Sequence, residues 1–459
     1  VLNGKILTLP EIQPPVVDLE RYRQQLLRLD PVKQNGRVTQ VIGLVIESVG
    51  PNAMVGEICD IYYERANYYD PQKPPIKAEV VGFRENRVLL MPLGVMEGIK
   101  PGSEVVATRR TQEVMVGDAL LGRMLDGLGQ PMDGGPPLDL PHTVPVNAPP
   151  PNAVTRPRIN EPLQLGVRVL DGCLTVGKGQ RMGIFAGSGI GKSTLMGMIA
   201  RNTAADVNVI ALVGERGREV RDFVEESLGI EGVQRSVVVV ATSDQPALVR
   251  IKAALVATAI AEHFRDRGAD VMLMMDSVTR LAMAQREVGL AIGEPPATRG
   301  YTPSVFAMLP RLLERAGTSG TGAGSITGLY TVLVEGDDMN EPVADAVRGI
   351  LDGHIVLSRE LAHRGHYPAI DLLQSISRVM TQIAPREQLD AANNLRDVLA
   401  TYKSAEDLIN IGAYVEGSNP RIDRARAKID IANAFLRQRA EEASPYVDTL
   451  RALLTYFNN

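Results

Sequence analysis

The spacing of apolar residues changes along the chain, and each change predicts a different kind of element. Residues 1–17 contain several prolines and show no period, which predicts a loose arm. Over residues 18–30, Leu19, Tyr22, Leu26 and Leu29 fall at helical spacing, with Asp18 placed to cap the start. Together these make an N-terminal arm and helix over residues 1–34. The period then shortens. VTQVIGLVIESVG, GEICDIYY, AEVVGF, RVLLMPL and SEVVAT are short runs rich in Val and Ile, broken by Gly, Pro and Asn. They predict a small all-β barrel over residues 35–108.

Residues 126–162 are rich in Gly and Pro (DGLGQPMDGGPPLDLP, then NAPPPNAVTRPRINEP). This pattern leaves open a disordered linker and an extended strap over a domain surface. From Leu165, the strand-like runs QRMGIFA, VNVIALVG, SVVVVAT, DVMLMMD and SITGLYTVLVEG alternate with the helix-like runs TLMGMIARNTA, REVRDFVEESLG and PALVRIKAALVATAIAEHFRDRG. Near-continuous apolar strands separated by helices predict a mainly parallel sheet covered on both faces. Residues 109–379 form this α/β domain, and residues 380–459 read as a helical domain with few β runs.

Composition narrows the function classes. The 459 residues carry 49 Lys and Arg against 54 Asp and Glu, and 44% are hydrophobic, which excludes wholesale disorder. With no Trp, 7 Phe and 12 Tyr, and no net positive charge, stacking on nucleic acid is not expected. Two cysteines, Cys59 and Cys173, are too few for a disulfide framework and fit a reducing cytoplasm. No apolar stretch is long enough to span a membrane, and no signal peptide is evident.

The strongest chemical signal is Ala186-Gly187-Ser188-Gly189-Ile190-Gly191-Lys192-Ser193, which follows a strand run and opens a helix at Thr194. Small residues let backbone N–H groups approach phosphates closely. Lys serves the β- and γ-phosphates, and Ser or Thr serves Mg²⁺. Ala186 replaces the Gly of the strictest pattern, a tolerated variant. Asp276 ends the buried run DVMLMMD, where P-loop enzymes place the acid that holds Mg²⁺. Glu215 follows VNVIALVG at a strand's carboxyl end, where open α/β sheets place their chemistry. On the residues alone it is open between a group that polarises water and a surface glutamate paired with Arg216 or Arg218.

AGSGIGKST, VGERGREVRDFVEESLG, MDSVTRLAMAQREVGLAIGEPPATRGYTPSVFAMLPRLLERAG and GSITGLYTVLVEGDDMNEPVADAVRGILDGHIVLSRELAHRGHYPAIDLLQSISRVM together resemble the type III protein-export ATPases from about residue 20 onward. The TGLYTVLVEGDD and AHRGHYPAIDLLQSISRVM stretches favour the flagellar over the virulence branch. The family is similar in architecture to the catalytic subunit of rotary ATP synthases, which implies a β-barrel, a RecA-like P-loop ATPase and a helical domain. The resemblance implies ATP and Mg²⁺ as ligands, with Lys192 and Ser193 at the phosphates and metal, Glu215 as the catalytic glutamate beside Arg216, and Asp276 as the second acid. It places Arg280 as a γ-phosphate sensor, Arg378 as an arginine finger reaching a neighbouring subunit, Tyr367 against the adenine, and Tyr414 on the adenine's other side. For Arg378 only the resemblance argues against an internal salt bridge.

The resemblance further implies a homohexamer with an export-apparatus regulator, a stalk protein and export substrates or chaperones as partners. The expected location is the cytoplasm, peripheral to the inner-membrane export apparatus. Arg21, Arg23 and Arg28 beside Leu and Tyr would suit a regulatory partner or an anionic membrane surface, though an ordinary surface helix accounts for them too. A rotary synthase subunit is the first rival, but RIDRARAKIDIANAFLRQRAEEA is mixed and locally basic, where the synthase subunit carries an acidic stretch. An RNA-translocating hexameric helicase is the second, but Tyr62, Tyr63, Tyr68 and Tyr69 cluster beside acids rather than bases. A catalytically dead homologue conflicts with the presence of Lys192, Glu215 and Asp276. His354, His363 and His366 lack metal-ligand spacing.

Overall fold

The computed structural model describes residues 34–63, 74–320, 324–334, 336 and 338–458. The arm, the helix expected over residues 18–30, and Tyr68 and Tyr69 lie outside the described residues. Six antiparallel strands, β1 (Gly36–Ile42), β2 (Val45–Val49), β3 (Glu57–Tyr62), β4 (Ile76–Arg84), β5 (Arg87–Pro92) and β6 (Glu104–Thr111), close into a barrel in the order β1-β2-β5-β4-β3-β6. Alternate residues point inward, so Val38, Ile46, Cys59, Ile61, Ala78, Val80, Leu90 and Val105 fill the interior. Outward residues Val45, Ile58, Leu89 and Met91 join the core of the following domain. There Lys252, only 2% exposed, pairs with Glu79 of β4. Burial raises the Glu79 pKa, and the ammonium beside it pulls the other way.

The chain then forms β7 (Glu113–Val116), β8 (Met124–Asp126) and β9 (His142–Pro145), with β7 and β9 paired antiparallel. Between and beyond them the Gly- and Pro-rich segment runs as an extended strap. Its conformation is tied by a two-pronged Arg123–Asp133 contact at 2.7 Å, by Arg315 donating to the Val146 carbonyl at 2.9 Å, and by Arg156 donating to the Ala316 carbonyl at 3.0 Å. The short strands β10 (Pro162–Leu163) and β11 (Val176–Gly177) end it as an antiparallel pair.

Strands β12 (Arg181–Ala186), β13 (Val207–Val213), β14 (Ser236–Ala241), β15 (Asp270–Asp276), β16 (Gly317–Thr318), β17 (Ser325–Leu333), β18 (Gly353–Val356) and β19 (Ile376–Ser377) complete the set. The large sheet runs β19-β18-β12-β17-β15-β13-β14-β8, with β16 paired to β17. It is parallel except for β16 and β19. The strands read as continuous apolar runs because both faces are covered. In β13, Val209, Ala211 and Val213 enter the core beneath the helix Ala247–Asp266. Ile210 and Leu212 enter the opposite core, under the helix Lys192–Asn202. Each buried Val, Ile or Leu among them stabilises the fold by roughly 1.5–3 kcal/mol.

That second core continues into the helices Arg386–Asn410, Pro420–Leu436 and Tyr446–Phe457 through Leu395, Val398, Phe435, Leu453 and Phe457. Asn419 caps the middle helix by accepting from the Arg421 N–H, with Pro420 at the first helical position. One difference from the sequence reading lies in REVRDFVEESLG. Helix Gly217–Asp222 passes into a π-helical turn over Phe223–Leu228 before resuming as Gly229–Gln234.

Candidate active site

Parallel β12, β17, β15 and β13 end on one edge, and the loops that follow them wall a cavity of about 850 Å³. The loop after β12 turns through Gly189 and Gly191, both at positive φ (78° and 89°), before the helix Lys192–Asn202 begins. The positive φ is what favours glycine at Gly191, since a Cβ there would stand at an ordinary contact distance of 3.6 Å from the Tyr367 ring. Gly187, Ser188, Gly189, Gly191, Lys192, Ser193 and Thr194 all face this cavity, while the Ile190 side chain is buried in the core beneath. Backbone N–H groups at this helix start make an anion site.

Charged groups converge on the same edge. Lys192 Nζ lies 2.5 Å from Asp276 Oδ1 and 3.6 Å from Glu215 Oε1. Thr331 on β17 donates to the same Asp276 oxygen at 2.7 Å, which fixes its direction. Arg280 Nε lies 3.3 Å from Glu215 Oε1, from a helix whose N-cap is Ser277. Gly214 makes this approach feasible. At φ 72° it turns the chain out of β13, and a Cβ there would meet the Arg280 side chain at 3.0 Å.

Glu215 is 7% exposed. Burial raises its pKa first, then the charge of Asp276 and a hydrogen bond with Glu219, against the pull of Lys192 and Arg280, and the result is about 7. Accepting that hydrogen bond lowers the Glu219 pKa. A carboxyl poised near neutrality is suited to take a proton from water. The expected outcome is a kcat/KM for ATP that rises with pH through about 7 and then levels, since this ratio reports the free enzyme and only the ionised base is competent. A profile already level well below neutrality would contradict the assignment.

The family follows from comparison with known proteins. Residues 166–377 match the nucleotide-binding domain of the ATP synthase alpha/beta family, residues 38–109 its beta-barrel domain, and residues 384–455 the T3SS EscN ATPase C-terminal domain. The flagellum-specific ATP synthase of Bacillus subtilis (strain 168) is 57% identical, over 94% of this chain and 97% of the relative. The type 3 secretion system ATPase of Xanthomonas euvesicatoria is 50% identical, over 94% and 96%. The chain belongs to the family of flagellum-specific and type III secretion ATPases. The assembled ATPase EscN of enteropathogenic E. coli has the same fold, with a TM-score of 0.86 at 46% identity over 92% of this chain and 100% of that one. The chain is therefore an ATP-hydrolysing, nucleotide-binding enzyme.

The other expected residues of this ATPase fall in three places. Arg216 lines the cavity as the N-cap residue of Gly217–Asp222. Tyr367, 47% exposed, stands over the phosphate loop, and its carbonyl accepts from the Gln438 N–H at 2.9 Å. The structure does not bring Tyr414 there. Its hydroxyl donates to Asp423 at 2.8 Å and to the Asn419 carbonyl at 3.0 Å, within the turn between two C-terminal helices. Beside Tyr367 stand Arg437, Gln438, Arg439 and Ala440 instead. Arg378 is exposed just past β19 and walls a separate cleft. Glu219 and Arg359 also line the cavity, beyond the residues expected from the sequence. Glu219 meets Glu215 from the first turn of the helix Gly217–Asp222, which begins after Glu215, so neither it nor Arg359 carries a spacing signal. Among the described residues no group of three or more His, Cys, Asp and Glu gathers as a metal site. His366 is buried, and burial lowers its pKa to about 4.

Proposed function

We propose that this chain is the ATPase of a flagellar protein-export apparatus, working as a ring whose active sites lie between subunits. The observation that carries the reading is the convergence of Lys192, Glu215, Asp276 and Arg280 at the mouth of the phosphate loop, with Arg378 exposed on a different face. The phosphate loop and Lys192 hold the polyphosphate. Glu215 takes a proton from water as its oxygen attacks the γ-phosphorus, and the bond to the bridging oxygen of ADP breaks. Arg280 and Arg216 stand where charge spreads over the phosphoryl oxygens. Arg378 completes the site of the neighbouring copy, and Tyr367 packs on the adenine.

Ser193 and Asp276 are suited to Mg²⁺, because that ion takes one or two protein oxygens and fills its shell with phosphate oxygens and water. When bound it neutralises phosphate charge. The absence of a larger acid cluster among the described residues fits this mode.

Assembly of EscN, and its complex with the central stalk EscO, support a ring with a stalk partner here; six subunits are the number the family implies. A regulator of the export apparatus and exported proteins or their chaperones complete the partners. No helix among the described residues is long and apolar enough to cross a membrane. The proposed location is peripheral to the inner-membrane export apparatus. Identity to flagellum-specific relatives of 57% and 53% supports the flagellar branch. Deleting the gene is expected to leave cells without flagellar filaments, counted by electron microscopy, and wild-type filament numbers would refute the reading.

A further inference from the structure

Arg378 lies just after β19, and the loop that delivers it is gripped from outside its own domain. Asp371 braces the loop internally, accepting from the Leu373 N–H at 2.9 Å and the Gln374 N–H at 3.2 Å. Ser377 donates to the Thr175 carbonyl at 2.8 Å, and the Arg378 N–H reaches the Asp352 carbonyl at 3.0 Å. The remaining hold comes from Arg396, in the middle of the C-terminal helix Arg386–Asn410. Its Nη1 donates to the Leu372 carbonyl at 2.5 Å and the Ser375 carbonyl at 3.3 Å, and its Nη2 to the Cys173 carbonyl at 3.2 Å. One guanidinium thus binds both ends of the tight loop before Arg378 and the end of the helix Arg168–Cys173.

We infer that Arg396 is a positioning residue for Arg378, tying the aim of the finger to the posture of the C-terminal helical domain. The inference rests on the reading of Arg378 as a finger acting on a neighbouring subunit. Arg396 shares a cleft wall with Arg378 and does not line the nucleotide cavity of its own subunit, and its hydrogen bonds run to the loop that carries Arg378. A planar fork suits three diverging carbonyls, which the compact ammonium of lysine does not. Burying a guanidinium is costly without such acceptors, and burial lowers the Arg396 pKa accordingly. The consequence is directional: when the helix Arg386–Asn410 shifts, the carbonyls of Leu372 and Ser375 go with it, and Arg378 is re-aimed.

The test is a double-mutant cycle on the assembled full chain. Arg396→Gln is expected to lower kcat about tenfold, in line with misplacement of a catalytic group, with KM and nucleotide affinity changed less than about twofold. In an Arg378→Ala background the same substitution is expected to add almost nothing, because the group it aims is gone. Arg396→Lys, which keeps the charge and is the gentler change, is expected to fall between wild type and Arg396→Gln. An equal loss in both backgrounds, or no loss in either, would overturn the positioning role while leaving the finger reading intact. If Arg378→Ala itself leaves turnover unchanged, the finger reading fails and the positioning role falls with it.

Discussion

Replacing Glu215 by Gln is expected to stop ATP hydrolysis while leaving nucleotide binding in place. The amide keeps the size of the carboxyl and can still accept from Arg280, whose Nε lies 3.3 Å away. It has no basicity, so the proton of the attacking water has nowhere to go. General-base catalysis contributes about 10²–10⁴ in rate, and that is the expected fall in kcat. Binding is set by the phosphate loop and Lys192, which keeps its 2.5 Å contact with Asp276 when the Glu215 carboxylate 3.6 Å away becomes an amide. The fold is not put at risk either. Glu215 is buried and close to Asp276, so its charged form is the disfavoured one, and a neutral isostere removes repulsion. The check pairs steady-state turnover with equilibrium binding of a fluorescent nucleotide. Turnover within a few-fold of wild type would show that another group takes the proton.

What could be read in the sequence follows from which forces are local. The short Val- and Ile-rich runs report strands, and they close into a barrel whose outer face is partly covered by the following domain. The unbroken apolar runs of β13 and β14 report two covered faces, and every residue of both strands is buried. The phosphate loop is equally local, because strand, glycines and helix start are contiguous. Glu215 and Asp276 were visible as acids ending buried strands. Tyr414 shows where such reasoning stops. Its acceptors, Asp423 and Asn419, stand in the first turn and at the N-cap of the next helix, and that local pairing holds it away from the nucleotide cavity. The wall beside Tyr367 is built by Arg437 to Ala440, which reach it only because the C-terminal helices dock on the second core. The strap behaves similarly. Its composition allowed disorder, and the side chains that order it, such as Arg315 reaching the Val146 carbonyl, come from 169 positions away. The π-helical turn over Phe223–Leu228 contains no Pro or Gly that would mark it in the sequence.

Arg378→Ala is expected to have the largest effect of all, and to have it between subunits. The side chain is exposed past the antiparallel edge strand β19 and walls a cleft that does not include the phosphate loop. In its own subunit it is therefore outside the nucleotide cavity, whereas a head-to-tail ring would carry it to the next one. Fingers of this kind are worth about 10³–10⁵ in rate, since they neutralise charge that develops only as the phosphoryl transfers. Turnover of the assembled variant should fall by that order, with ATP affinity nearly unchanged. The sharper test mixes two inactive chains, Arg378→Ala and Glu215→Gln, before assembly. A site works when an Arg378→Ala subunit supplies Glu215 and a Glu215→Gln neighbour supplies Arg378. Random equal mixing in a head-to-tail ring makes roughly one quarter of the sites complete. Activity near that fraction of wild type is the expected result, measured as phosphate release at concentrations that maintain the ring. If Arg378 served the nucleotide of its own subunit, every subunit in the mixture would lack one of the two groups. No activity would return at any ratio, and the interface reading would have to be abandoned.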